Sequence, residues 1–411
     1  MATRSPGSPI RLLLGPLLRH VGSTTAAVWV QTSGPAEVEV LGFLASTFTV
    51  CDEHYALVDI SGLTPGSVTT YQVHLDGNLV WPRPGSSWPE SRIRTRGTGT
   101  GVRVVFGSCR RARADIPTSM ALDGADALDA YAARMAAMAP EDLPDALLLL
   151  GDQVYADDPA PQTRRWLDRH RDTTAAPGHE IADFTEYSRL YRDSWSDPPF
   201  RWLMSTVPTA MIFDDHDVRD DWNTSAAWRA RITAQAWWPE RITGALASYW
   251  IYQHIGNLCP QQRQSDPTWC AVQDAAADAW PVLRKMAGFL RPARRVAAAG
   301  RGWPRRARDD QRALRRCASQ LCGTSRCRWL ARLSTGVLAG APQRPVVCDC
   351  SVAGRVECCA GRNGPQAGAP CRGARSGAVL APDQRPGIRQ HGGHPDVFGS
   401  PRRAHRRAQR A

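Results

Sequence analysis

Between residues 10 and 95 the chain alternates apolar and polar positions in short runs. AAVWVQT (26–32), AEVEVLG (36–42) and YQVHLDG (71–77) have the period of two that predicts strands with one buried face, and Gly, Ser and Pro turns separate them. From residue 102 the pattern changes. VRVVFGSC (102–109) and ALLLLGD (146–152) are continuous apolar runs that end in glycine, as expected of strands buried on both faces. Between them, ADALDAYAARMAAMA (125–139) has helical spacing and many alanines. A third run, TAMIFDDHD (209–217), ends in acidic residues. Strand, helix, strand, a long helical insertion and a strand predict a layered α/β domain.

The expected fold is therefore α/β: an N-terminal β-sandwich over 1–95, then a layered α/β domain over 102–285. The Gly/Thr-rich RTRGTGTG (94–101) marks the boundary. In LTPGSVTTYQV (63–73) a Pro-Gly turn precedes a strand opening on Tyr71. This resembles the tyrosine corner of immunoglobulin-like and fibronectin type III sandwiches, and implies that the Tyr71 phenol bonds back to the backbone of its own turn. Residues 222–256 carry Trp222, Trp228, Trp237, Trp238 and Trp250 among helix formers, and are expected to pack over the strand ends as core and pocket wall.

Composition alters this picture in one place. The 411 residues are 43% hydrophobic and 22% charged, within the globular range, and carry a formal charge of +12. That charge is not spread evenly. Residues 286–411 hold 25 Arg against 6 acidic residues, whereas residues 1–285 carry a net −7. Eight of the 12 cysteines also lie after residue 285. The apolar stretch RLLLGPLL (11–18) is short and broken by Gly15 and Pro16, so it does not read as a secretory signal, and no twin arginine precedes it. No apolar run reaches the roughly 20 residues that span a bilayer. A cytoplasmic protein without membrane attachment is expected, in which Cys259 and Cys270 are free thiols.

The chemistry gathers at the three strand ends, where α/β sheets place functional groups. These offer Cys109, then Asp152 and Tyr155, then Asp214, Asp215 and His216. A carboxylate can bridge two cations, thiolate and phenolate suit trivalent iron, and carboxylates suit calcium, magnesium or manganese. A histidine beside such metals can protonate a leaving oxygen. Each cluster alone has an ordinary explanation: a buried thiol, a turn, a helix cap. Three of them at successive strand ends favour a metal site. Asp157, Asp158, Asp220 and Asp221 are expected to be solvated or capping residues.

FGSCR (106–110), GDQVYADD (151–158) and FDDHDVRDDWN (213–223) together resemble three motifs of the alkaline phosphatase D, or PhoD-like, family of metallophosphoesterases. The resemblance covers roughly 10–285. It implies a fibronectin-like N-terminal domain and hydrolysis of phosphate mono- or diesters at a two-metal centre with no side-chain nucleophile. It further implies that Cys109, Asp152 and Tyr155 bind ferric iron and that Asp152 bridges to a second metal, calcium. By the same resemblance Asp215 takes the place of a metal-binding Asn, and His216 that of the catalytic His.

The family pattern also needs a late Gly-Asp-x-His motif, and none follows residue 217. Residues 286–411 have no Tyr and four aromatics: Phe289, Trp303, Trp329 and Phe398. Arg outnumbers Lys 50 to 1 in the whole chain, as expected of a GC-rich coding sequence. The tail therefore reads as out-of-frame translation that begins near Lys285–Pro292, leaving the α/β domain incomplete and its sheet open at an edge. An Arg-rich arm that binds nucleic acid is the less favoured reading. The Cys-x-Cys and Cys-Cys spacings are poor zinc patterns. On the frameshift reading the chain can also be a catalytically inactive remnant.

Overall fold

The computed structural model describes residues 9–97, 101–112, 126–222, 224–290, 346–350 and 356–358. Ten short strands form the N-terminal region: β1 (Leu12–Val21), β2 (Ala26–Thr32), β3 (Glu37–Val40), β4 (Phe43–Ser46), β5 (Phe48–Val50), β6 (Glu53–Ile60), β7 (Val68–Thr70), β8 (Val73–Leu75), β9 (Asn78–Trp81) and β10 (Arg92–Arg94). They pair antiparallel into two four-stranded sheets, β1-β2-β6-β5 and β4-β3-β8-β9, with β7 and β10 as a separate pair. The facing sides of the two sheets share one core, in which Leu18, Val28 and Val58 meet Val38, Val40 and Leu75. This is the expected sandwich.

Two details depart from the sequence reading. AAVWVQT alternates in polarity, yet all seven residues of β2 are buried. Ala26, Val28 and Val30 face the sandwich core. Ala27 and Trp29 face the α/β domain, where the Trp29 ring lies 5.2 Å from that of Tyr252. The polar Gln31 is accommodated there by donating to Glu53 Oε2 at 2.9 Å and Ser188 Oγ at 3.0 Å. The second departure is Tyr71. Its hydroxyl does not return to its own turn but donates to the carbonyl of Ser205 at 2.6 Å. The residue is a link between domains rather than a tyrosine corner.

The second domain is built on β11 (Val102–Gly107), β12 (Ala146–Leu149) and β13 (Thr209–Met211). β11 pairs parallel with β12 and β12 with β13, in the spatial order β13-β12-β11. The crossover between β11 and β12 contains α1 (Ala127–Met135), which lies within the predicted helical segment. The long insertion after β12 holds α2 (Pro161–His170), α3 (Phe184–Trp195) and α4 (Pro198–Thr206). After β13 come α5 (Ala226–Thr233) and α6 (Trp238–Ser248), which runs into a π-helical stretch, Tyr249–His254. Val105, Leu147, Leu149 and Met211 point into the main core with these helices. Val104, Ala146, Leu148 and Ala210 form a small cluster on the other face.

Of the anomalous tail, the described residues are the end of the helix Trp280–Leu290 and two strands, β14 (Val346–Cys350) and β15 (Val356–Cys358). β14 lies antiparallel along β11, and β15 along β14. One edge of β11 is therefore paired by residues of the tail. The rest of the tail, with His391, His394 and His405, lies outside the described residues. Among the described residues no helix is long and apolar enough to cross a membrane.

Candidate metal centre

Because β11, β12 and β13 are parallel, their C-terminal ends open on one side, and the loops after them meet there. Gly151 makes the meeting possible. Its φ is +132°, and a Cβ at this position would stand 2.7 Å from the Cβ of Asp214. Only glycine combines that backbone with that contact. Cys109 and Asp152 have φ values of +60° and +51°, in the left-handed region. Non-glycine residues are held there at some cost, and such positions concentrate at functional sites. The Cys109 N–H donates to the Gly151 carbonyl at 3.1 Å, which ties the first strand end to the second.

Asp217 ties the second end to the third. This buried carboxylate accepts from the backbone N–H of Gln153 at 3.1 Å, of Val154 at 3.3 Å and of Asp214 at 3.0 Å. It also accepts from Gln253 Nε2 at 3.1 Å, and Gln253 donates to the Tyr191 hydroxyl at 2.8 Å. Two loops 60 residues apart in sequence are thus fixed to one side chain. Gln253 belongs to the π-helical stretch, a form common at functional sites.

The predicted residues come together around Asp152. Donor atoms of Asp152, Asp215 and His216 lie within 4.8 Å of one another. Burial, with the neighbouring Asp215 charge, raises the Asp152 carboxyl above its usual range. Burial, together with Asp152 and Asp215, pushes Asp214 up to about 7. The Cys109 thiol is pushed up to about 12, by burial first and also by Asp152, against a hydrogen bond to Ser108. Burial and then the charges of Asp152 and Cys109 raise the Tyr155 phenol. Acidic groups and a thiol that hinder one another's ionisation in this way are what a bound cation relieves. The donor set of sulfur, phenol and carboxylate therefore fits a cation of borderline to hard character. The Arg111 guanidinium lies 4.5 Å over the Tyr155 ring and pairs with Asp158.

His216 sits at the rim of this cluster, its ring 4.5 Å from that of Tyr155. Its Nδ1 is 3.0 Å from both oxygens of Asp157. Burial opposes its charge, but the hydrogen bond and charge of Asp157, with the charges of Asp152 and Asp215, together outweigh it and the imidazole is raised to about 9. Asp157 was expected to be solvated or capping. It is 11% exposed and bonded to the histidine, whereas Asp220, 3.8 Å from Nε2, is 67% exposed. Asp158 pairs with Arg111 and Arg164. Sequence reasoning did not single out Asp157 or Asp217, because their partners lie 59 to 64 residues away. The one available signal was the density of aspartates beside the predicted ligands.

Known proteins bear on this geometry. Residues 120–269 match the family model of the PhoD-like phosphatases. The chain resembles that family over this segment. Residues 9–93, the sandwich, match a domain of unknown function, DUF7800. No curated protein matches. Three solved chains do. One, titled "Structure of PhoD", is 15% identical, with a TM-score of 0.40, over 62% of this chain and 47% of its own. The chain thus spans about half the length of that PhoD. The PhoD-like match covers two of the three strand ends, those carrying Asp152 and His216. Cys109 lies before it.

Proposed function

We propose that this chain is a metal-dependent phosphoesterase that hydrolyses phosphate mono- or diesters. The observation that carries the reading is the convergence of Asp152, Asp215 and His216 to within 4.8 Å at the ends of parallel strands, inside a segment that resembles the PhoD-like phosphatases. Cys109, Asp152 and Tyr155 are assigned to ferric iron, and Asp152 and Asp215 to calcium. Bound metals of this kind polarise a phosphoryl oxygen and acidify water. The protein's own contribution is at His216. Asp157 engages Nδ1 and keeps the ring charged at neutral pH, which leaves Nε2 to give a proton to the departing ester oxygen. Cys109 is protonated until a cation displaces its proton, so loading the site should release protons.

The test is hydrolysis of an aryl phosphate and a bis-aryl phosphate by the full chain loaded with iron and calcium. Activity that Asp152→Asn abolishes supports the reading. Absence of turnover with every metal pair, in a folded protein, refutes it.

A second reading rests on one sequence fact, the lack of a Gly-Asp-x-His motif after residue 217. In that reading the chain is an inactive remnant, translated out of frame beyond about Lys285. It binds metal without turnover. Sequencing the coding DNA across codons 280–295 decides the frame. An uninterrupted frame in independent isolates, with nothing family-like in the other two frames, removes the frameshift.

A further inference from the structure

A cleft of about 770 Å³ adjoins His216. Its wall includes Asp157, which holds the histidine, and Asp220, which stands 3.8 Å from Nε2. The remaining wall is mixed: Trp228, Ile232, Trp237 and Pro177 form its apolar part, and Glu180, Arg219, Asp221, Arg231 and Gln235 its charged and polar part. The volume lies in the range of small-molecule sites.

We propose that this cleft receives the alcohol part of the substrate and selects an aromatic alcohol. The inference rests on the phosphoesterase reading for its chemistry, and it adds the substrate class. Two observations carry it. The first is position. A group that protonates the leaving oxygen must face the leaving alcohol, and the cleft wall includes Asp220, 3.8 Å from the Nε2 that does so. The second is the state of the indoles. Trp228 meets Trp238 edge-on at 5.7 Å, and Trp237 meets the same ring at 5.8 Å. Arg219 lies 5.8 Å over Trp237 and is itself anchored to Glu180 at 3.0 Å. Both indoles are held by these neighbours while they line the cleft, with Arg219 part of the same wall, so they are pre-organised to meet a flat ring. An aliphatic alcohol such as glycerol would gain little from them.

The experiment compares kcat/KM for 2-naphthyl phosphate and glycerol 1-phosphate in the full chain loaded with iron and calcium, and separately titrates 2-naphthol by calorimetry. Trp228→Ala and Trp237→Ala should each lower the naphthyl-to-glyceryl ratio roughly tenfold and weaken naphthol binding by a similar factor. Trp228→Phe and Trp237→Phe, which keep a ring and guard against unfolding, should restore most of both. Ratios and naphthol affinities within twofold of the unaltered chain in the folded alanine variants overturn the proposal. If no ester is hydrolysed at all, the phosphoesterase reading fails and the naphthol titration alone decides the cleft. Binding that the alanine variants lose then supports an aromatic site, and its absence in the unaltered chain rejects one.

Discussion

His216 Nδ1 stands 3.0 Å from each carboxylate oxygen of Asp157, and this pair links the candidate metal centre to the cleft beside it. The backbone N–H of Asp220 donates to the same carboxylate at 2.7 Å, so the loop after His216 closes over its partner. Burial works against ionisation of Asp157, and the bonds from His216 and Asp220 still bring its carboxyl below the usual range.

Asp157→Asn removes the bonded carboxylate that heads the groups raising His216, and leaves the charges of Asp152 and Asp215. In the metal-free protein the imidazole should then titrate clearly below about 9. The sign is fixed by the direction of the shift. A histidine raised in the folded state adds stability below pH 6.5 and loses it as pH rises through about 9. Ring-proton NMR titration of both proteins measures this, and an unchanged midpoint in the variant sinks the pairing.

Asp217→Ala deletes an acceptor shared by four N–H donors in a buried place. Leaving such donors unpaired costs about 3–5 kcal/mol in total. Urea unfolding should report a loss of this size. Metal affinity should fall with it, because the loops bearing Asp152 and Asp215 are held by this one side chain. A loss under about 1 kcal/mol would mean the loops close without it.

Gly151→Ala places a Cβ 2.7 Å from Asp214 on a backbone at φ +132°. The expected loss is about 2–3 kcal/mol, together with displacement of Asp214 from the strand ends. Thermal melts and calcium titration read the two effects. Unaltered behaviour in both would contradict the close packing.

His20 lies away from the site, among residues lining a cavity with Arg19 and Ala146. Burial, and then Arg263, lower its imidazole from 6.5 to about 4. The unfolded chain therefore binds the extra proton first. Stability from the neutral ring is fully present above pH 6.5 and is lost as pH falls through about 4. Between pH 7 and 4.5 this amounts to about 2–3 kcal/mol. His20→Gln should flatten that part of the stability-versus-pH curve, and equal slopes in both proteins would exclude the histidine as the cause.

The sheet and the polar clusters at its strand ends were legible for one shared reason. An apolar run such as ALLLL needs cover on both faces, and the polar cluster that ends it must lie where the cover stops. The placement of Cys109, Asp152 and His216 just past strand ends was therefore visible from local pattern alone. Asp157 and Asp217 were not. An aspartate that grips a histidine or four N–H groups reads in sequence like one facing water. Tyr71 shows the same limit, because its acceptor, Ser205, is 134 residues away.

By itself the sequence determined the element types, the layered α/β plan and the three polar strand ends, since these follow from hydrophobic period and local backbone preference. The tertiary structure decided the rest. It buried both faces of β2, laid β14 along β11, turned Tyr71 toward another domain and gave His216 its carboxylate. Each of these is a choice of partner across tens to hundreds of residues. Burial energy and hydrogen-bond satisfaction make such choices only once the chain has closed upon itself.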